Sequence, residues 1–254
     1  MSQDQPLAGK AAIVTGSGRN IGRAIARRFA QAGAAVVING HSNAAAVDAV
    51  VREIEDAGGR AIGVMADVGD PDAVAAMVDR CVEAFGSVDI TVSNVAIRKV
   101  QTLLQISVED WRSVLNSNLN AAFYMARKAI PHMQAKGWGR IIHISGNDGF
   151  NAHSIDRAHN IVSKAGVHAL TRVISNEFAR SGITANTIAP GRIDTERDFS
   201  VLPPNYVEEF TKRVPVGRFG HVDEIASVAY FLVTNPFITG QVIHANGGES
   251  TYSS

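Results

Sequence analysis

An α/β fold, a single doubly wound parallel sheet with helices on both faces, is what this 254-residue sequence predicts. Three observations carry the expectation. Apolar, β-rich runs alternate with helix-period segments from one end of the chain to the other, as crossover units require. The runs are too apolar to leave one face in water, which argues against a half-solvated antiparallel sheet. No linker or low-complexity stretch divides the chain, so one domain over 1–254 is expected, with its ligand crevice at the strand C-termini.

The elements follow in order. AAIVTG (11–16) reads as the first strand, and a helix from about Asn20 to Ala32 follows it. AAVVING is the second strand, ending at Gly40; the next helix, AAAVDAVVREIED, closes on Gly58 and Gly59, residues suited to a helix C-terminus. AIGVMADV is the third strand, 71–85 the third helix and VDITVSN (88–94) the fourth strand. One long helical stretch is expected over 107–136, then the strand GRIIHIS (139–145). A helix running to about Arg180 precedes the strand ITANTIAPG, and a last helix (222–234) precedes TGQVIHANGG. Residues 1–8 are expected to be a loose tail. The stretch 192–220, with adjacent Pro203 and Pro204, is expected to be the longest irregular segment and a substrate lid.

Composition narrows the function. Lys+Arg and Asp+Glu balance at 24 each, so nothing points to a nucleic-acid backbone or an anionic membrane surface. Cys81 is the sole cysteine, which excludes an internal disulfide and a cysteine metal cluster. No His/Asp/Glu spacing suggests a metal site. The N-terminus has no apolar leader, and a cytoplasmic protein without membrane or nucleic-acid partners is the expectation.

TGSGRNIG (15–22) follows a strand and opens a helix, the context of a Rossmann-like dinucleotide loop. Gly16 permits the tight turn, the small Ser17–Gly18 step brings backbone amides near a pyrophosphate, and Gly22 lets helix and strand approach closely. The helix N-terminus over Asn20 and Ile21 adds positive potential for that anion. The second strand ends in Asn39, Gly40, His41 and Ser42, with no carboxylate to accept a ribose 2′-hydroxyl. Arg19, His41 and Ser42 instead suit a 2′-phosphate, so NADP(H) is favoured over NAD(H).

Taken together, these motifs resemble the short-chain dehydrogenase/reductase superfamily, and the resemblance runs over nearly all of the chain. The glycine loop is Thr15 to Gly22. The acidic residue that usually meets the adenine matches Asp67 in ADV, beside Val68. The family's NNAG stretch corresponds to Ser93, Asn94, Val95 and Ala96, and its helix asparagine to Asn118. The PGxIxT segment, which usually folds over the nicotinamide, is Pro190, Gly191, Arg192, Ile193, Asp194 and Thr195. The ending GRFGHVDEIASVAYFLVTNPFITGQVIHANGG looks like the family's C-terminal quarter.

The resemblance implies hydride transfer between a nicotinamide and a carbonyl or alcohol. In the family a tyrosine is the acid/base, a serine polarises the substrate oxygen, a lysine holds the ribose and an asparagine supports a relay water. Lys164 and Asn118 match. Asn160 stands at the tyrosine position and Gly146 at the serine position, although a longer loop leaves Ser145 as another candidate for the serine. An asparagine amide donates a hydrogen bond but delivers no proton at neutral pH. Loss of positioned acid–base catalysis is worth about 10²–10⁴-fold.

Replacement acids are His153 in the loop, near Asp148, and His159 beside Asn160. Asp156, Asn160 and Lys164 share one helix face if the helix begins early enough. His143 and His168 read as satisfied structural histidines. The expectation is therefore an NADP(H)-dependent oxidoreductase with an altered acid/base site, acting on a small carbonyl, alcohol or imine. The alternatives are a cofactor-binding protein without turnover, or a non-redox enzyme on the same scaffold. Relatives pair through the regions matching 107–136 and 157–180, so a homo-oligomer is expected.

Overall fold

Seven strands hydrogen-bond in parallel in the order β3-β2-β1-β4-β5-β6-β7. They are β1 (Ala11–Val14), β2 (Ala35–Gly40), β3 (Arg60–Met65), β4 (Ile90–Ser93), β5 (Gly139–Ile144), β6 (Ile183–Pro190) and β7 (Val242–Ala245). The computed structural model describes residues 5–149, 156–196 and 205–249. Helices α1 (Asn20–Gln31), α2 (Ala44–Asp56), α3 (Pro71–Phe85), α4 (Val108–Leu115), α5 (Ala121–Lys136), α6 (Ala158–Phe178), α7 (Tyr206–Arg213) and α8 (Val222–Thr234) connect and cover them. The strand order reverses between β1 and β4. The crevice above that reversal is where a doubly wound sheet binds its ligand.

The two-residue period of β1 separates the cores. Ala12 and Val14 face a layer containing Ile25 and Phe29 of α1, Val50 and Ile54 of α2, and Ile225 and Leu232 of α8. Ala11 and Ile13 face the other layer, with Met77 of α3, Met125 and Met133 of α5, and Ile174 of α6. Phe29, Ile13 and Met77 are fully buried. Each such side chain contributes about 1.5–3 kcal/mol of hydrophobic stabilisation. Arg140 stacks over Trp138 (4.2 Å) from the buried side, and Lys10 lies over the same ring at 4.0 Å. That accounts for Trp138 as a packing residue.

Helix ends follow local chemistry. Asn43, Asp70 and Ser107 accept from the first-turn amides of α2, α3 and α4. His221 and Glu224 form a reciprocal cap on α8.

Four expectations are corrected. The 107–136 stretch is two α-helices joined by a π-helical turn, Asn116–Asn120, which re-aims Asn118 inward. The irregular segment 192–220 contains α7, whose charged residues Glu208, Glu209 and Lys212 form i,i+3 and i,i+4 pairs. The loose tail does not include residues 5–8, because Leu7 is buried and its N–H donates to Ala32 O (2.9 Å). Helix α6 begins at Ala158, so Asp156 lies outside the face shared by Asn160 and Lys164. Residues 1–4, 150–155 and 197–204 lie outside the described residues, and with them His153 and the middle of the expected lid.

Candidate active site

The glycine loop is held by asparagines on both flanks. Asn39, buried at the end of β2, accepts the Gly16 N–H through Oδ1 (3.1 Å), and its Nδ2 donates to Gly40 O, Val64 O and Ala66 O. Asn94 donates through Nδ2 to Thr15 O (3.0 Å) and Gly16 O (3.2 Å). Between them Gly16 turns with φ +60°. A Cβ on Gly22 would stand 2.4 Å from Gly16 O and 2.8 Å from Asn94 Nδ2, so only glycine lets α1 approach the strand. No side chain caps α1 and its first turn holds no acid. Its first amides and positive dipole end are therefore presented to the crevice, as a pyrophosphate cradle requires.

Ser17 serves this cradle from within. It is fully buried, its N–H donates to Asn39 O (2.9 Å), and its hydroxyl donates to Val14 O and accepts from Asn39 N–H. These hydrogen bonds fix the turn from within.

At the end of β2, Gly40 has no room for a carboxylate-bearing side chain: a Cβ would lie 2.5 Å from Val47 Cγ2. Arg19, His41 and Ser42 are all exposed around the same edge. His41 Nδ1 lies 3.9 Å from Asp67 Oδ2, while Asp67 Oδ1 accepts the Gly69 N–H (2.8 Å) and shapes the turn after β3. Val68 is buried beneath that turn.

On the other side of the switch point, the π-helical turn and α6 converge on the backbone of Ile97. Asn118 accepts the Ile97 N–H through Oδ1 (2.8 Å), and its Nδ2 donates to Ile97 O (3.1 Å) and Ser163 Oγ (3.1 Å). Ser163 Oγ donates to Asn160 O (2.7 Å), and Asn160 Nδ2 reaches Ile97 O at 3.4 Å. Lys164, one turn further along α6 and 3 % exposed, donates from Nζ to Ile144 O (2.9 Å) at the end of β5. Asn118 and Asn160 thus meet at Ile97, with Lys164 one turn further along α6 at the end of β5.

Gly146 faces open space, with nothing within 4 Å of an added Cβ. Ser145 is turned away from that space: its Oγ lies 2.5 Å from His168 Nε2 and accepts the Gly146 N–H (2.6 Å). Burial pushes the His168 imidazole down to about 4, with nearby Arg172 and Lys164 adding to the shift. His143 is likewise pushed down to about 4, chiefly by burial. His143 Nδ1 meets Thr171 Oγ1 at 2.8 Å, whereas its Nε2 has no hydrogen-bond partner among the described residues. The satisfied-histidine reading therefore holds on one ring nitrogen of His143 and not on the other. His159 is fully buried; its Nδ1 accepts the Asn160 N–H (3.0 Å), and its Nε2 has no hydrogen-bond partner among the described residues.

Pro190 ends β6, and Gly191 approaches the backbone of Asn246 so closely that a Cβ would meet Asn246 Cα at 2.7 Å. Ile193 pairs with Gly220 and packs on the α1–α8 core, while Asp194 N–H donates to Gly220 O. Thr195 stands on the wall of a cleft of about 420 Å³ between α1 and the start of α8. Arg192 lies 3.5 Å from Glu249, which also accepts from Asn147 Nδ2 (3.0 Å).

Sequence reasoning missed Asn39, Ser163 and the Ser145–His168 pairing. A buried asparagine at a strand end and a serine preceding the lysine were the available signals. The pairing of β5 with α6 had none, because it is made across 23 residues of tertiary structure. Among the described residues, no group of three or more His, Cys, Asp or Glu could hold a metal ion.

Comparison with known proteins agrees with this architecture. Residues 16–250 match the family model described as enoyl-(acyl carrier protein) reductase. The chain is 36% identical over 247 residues to the 3-oxoacyl-[acyl-carrier-protein] reductase of Staphylococcus aureus, covering 94% of this chain and 97% of that one. A gluconate 5-dehydrogenase from Burkholderia cenocepacia, solved with NADP and tartrate, superposes with a TM-score of 0.89 at 35% identity, covering 97% of each chain. A short-chain type dehydrogenase/reductase from Mycobacterium marinum gives a TM-score of 0.90 at 30% identity, over 97% of this chain and 98% of that one.

Proposed function

This chain belongs to the short-chain dehydrogenase/reductase superfamily, and on that premise we propose that it is an NADP(H)-dependent oxidoreductase working without a tyrosine phenol. The observation that carries the reading is the glycine turn braced by Asn39 and Asn94, together with Asn160 one helical turn before Lys164. When bound, the nicotinamide supplies or accepts the hydride. Gly16, the α1 amides at Asn20, Ile21 and Gly22, and the carbonyl-lined turn around Asn94, Val95 and Ala96 hold the dinucleotide. Asp67 and Val68 border its adenine, and Lys164 anchors its ribose. Pro190, Gly191, Ile193 and Thr195 close over it.

The preference for NADP(H) rests on the same edge of the sheet. A side chain at residue 40 would collide with Val47, and Arg19, His41 and Ser42 are exposed at the edge where a 2′-phosphate would lie, with His41 beside Asp67 (3.9 Å). Solved relatives carrying NADP support the choice.

Asn160 positions but does not protonate. Its amide and that of Asn118 converge on Ile97 O, fixing the loop after β4 against α6. Gly146 leaves the substrate oxygen without a serine hydroxyl, since Ser145 is committed to His168. The substrates that suit such a site need hydride and little proton transfer: an iminium ion, or a small activated carbonyl. Where a proton is needed, His153, His159 or water delivers it. The relatives' names span acyl thioesters and sugar acids, and neither substrate class is carried over.

A second reading, cofactor binding without turnover, draws on the internally satisfied Asn118–Ser163–Asn160 network. Titrating the protein with NADPH and NADH tests the primary reading. Tighter binding of NADPH is expected, with Arg19→Ala weakening NADPH by about tenfold and NADH little. Equal affinity for the two in the unmodified protein would overturn the NADP(H) assignment.

We also propose self-association through α4, α5 and α6, which expose Val108, Phe123, Val162 and Val173, with Leu103 and Leu104 alongside. Sedimentation velocity is expected to give a dimer or tetramer. A monomer at micromolar concentration would count against it.

A further inference from the structure

Asn20 stands in the middle of TGSGRNIG with φ +51°, a left-handed conformation that side-chain-bearing residues rarely adopt. Asparagine tolerates it better than most. Its side chain has a long-range contact: Oδ1 accepts the N–H of Glu196 at 2.9 Å, across 176 residues of sequence. Glu196 ends the described part of the segment that starts at Pro190. Other backbone ties of that segment run the opposite way, from Gly191 N–H to Ala245 O (3.0 Å) and between residues 192–194 and Gly220 (both 2.8 Å). Packing does not force the Asn20 contact. A cleft of about 420 Å³ opens between α1 and the segment, lined by Asn20, Arg23, Arg27, Thr195, Glu196 and Asp223.

We propose that Asn20 is a positioning residue that locks the Pro190–Glu196 segment onto the glycine loop, so that the nicotinamide half of the dinucleotide is held more tightly than the adenine half alone would be. This rests on the dinucleotide-binding reading above. Glycine would satisfy the backbone at residue 20 at lower cost. What asparagine adds is an acceptor that joins the two walls of the crevice. Arg23 also lines this cleft, but its guanidinium is paired with Glu53 of α2 (2.9 Å), so it does not tie the two walls together.

Amide hydrogen exchange across Ile193–Glu196 in the cofactor-free protein tests the lock directly. Asn20→Gly keeps the backbone conformation and loses the acceptor, so exchange is expected to accelerate about three- to tenfold. Asn20→Asp retains an acceptor and is expected to preserve protection. In parallel, Asn20→Gly is expected to weaken NADPH by about three- to tenfold while leaving adenosine 2′,5′-bisphosphate, which lacks the nicotinamide half, unchanged. Unaltered exchange in Asn20→Gly, or equal weakening of both ligands, overturns the lock. Failure of the unmodified protein to bind either ligand would instead overturn the dinucleotide reading, and the exchange measurement would still decide the role of Asn20.

Discussion

Asn160 and Gly146 differ in how much room each leaves for a restored catalytic group. Gly146 has open space where a Cβ would go, so Gly146→Ser is expected to change stability by less than about 0.5 kcal/mol. Asn160 is 1 % exposed and tied to Ile97. A tyrosine there must displace neighbours, and an overpacking cost of about 1–3 kcal/mol is expected in urea unfolding. If the rest of the pocket is intact, the double variant should gain ketone reduction by about 10²-fold or more over the unmodified protein. No gain from a folded double variant would mean that the pocket is altered beyond these two residues. Ser145 is held by His168 at 2.5 Å and does not substitute for the missing hydroxyl without breaking that bond.

Among the elements, the turn from β1 into α1 is the most tightly specified. Gly22→Ala would place a methyl 2.4 Å from Gly16 O. It is expected to lower stability by about 1–3 kcal/mol and to abolish detectable dinucleotide binding. Retained NADPH affinity would show that the cradle is not where the dinucleotide sits. Asn39→Ala removes four hydrogen bonds at a buried strand end. Thermal unfolding should register a loss of about 2–4 kcal/mol, because the carbonyls and amide it leaves behind are poorly served by water.

Much of this was legible in the sequence. The bounds of α3 and α8 follow from Asp70-Pro71 and from His221 with Glu224, which are local signals. The π-helical turn at Asn116–Asn120 was not legible, since the apolar period runs on through it and only the contact with Ile97 shows why it forms. Helix α7 was hidden for a different reason. It is only eight residues long, follows Pro203-Pro204 in sequence and carries a charged face of Glu208, Glu209 and Lys212 rather than a sustained apolar run in the sequence.

The whole molecule carries a pH dependence set by buried imidazoles. His143 is neutral in the folded chain because burial pushes it down to about 4, while in the unfolded chain it protonates near 6.5. As the pH falls from about 6.5 toward 4 the unfolded state binds the proton and the folded state does not, so stability is lost on acidification. Above about 6.5 the contribution is complete. For His143 it is roughly 3 kcal/mol, and His168, shifted the same way, adds to it. Urea unfolding at pH 7.5 and pH 5 should show the decline, and His143→Gln should flatten it. A profile independent of pH would contradict the buried neutral state.

At the same scale, the fold sets two adjoining halves of one crevice side by side. The β1–α1 turn fits the dinucleotide, and the β4–β5–α6 side holds Lys164 and Asn118 without a phenol. The central claim is that hydride moves here without a tyrosine acid. Single-turnover transfer of deuterium from C4-labelled NADPH, in both stereoisomers, to a panel of cyclic iminium ions, activated carbonyls and simple ketones tests it most directly. The account predicts label in the iminium or activated-carbonyl products and at least about 10²-fold slower transfer to simple ketones. Bound NADPH that passes label to no member of the panel would contradict it.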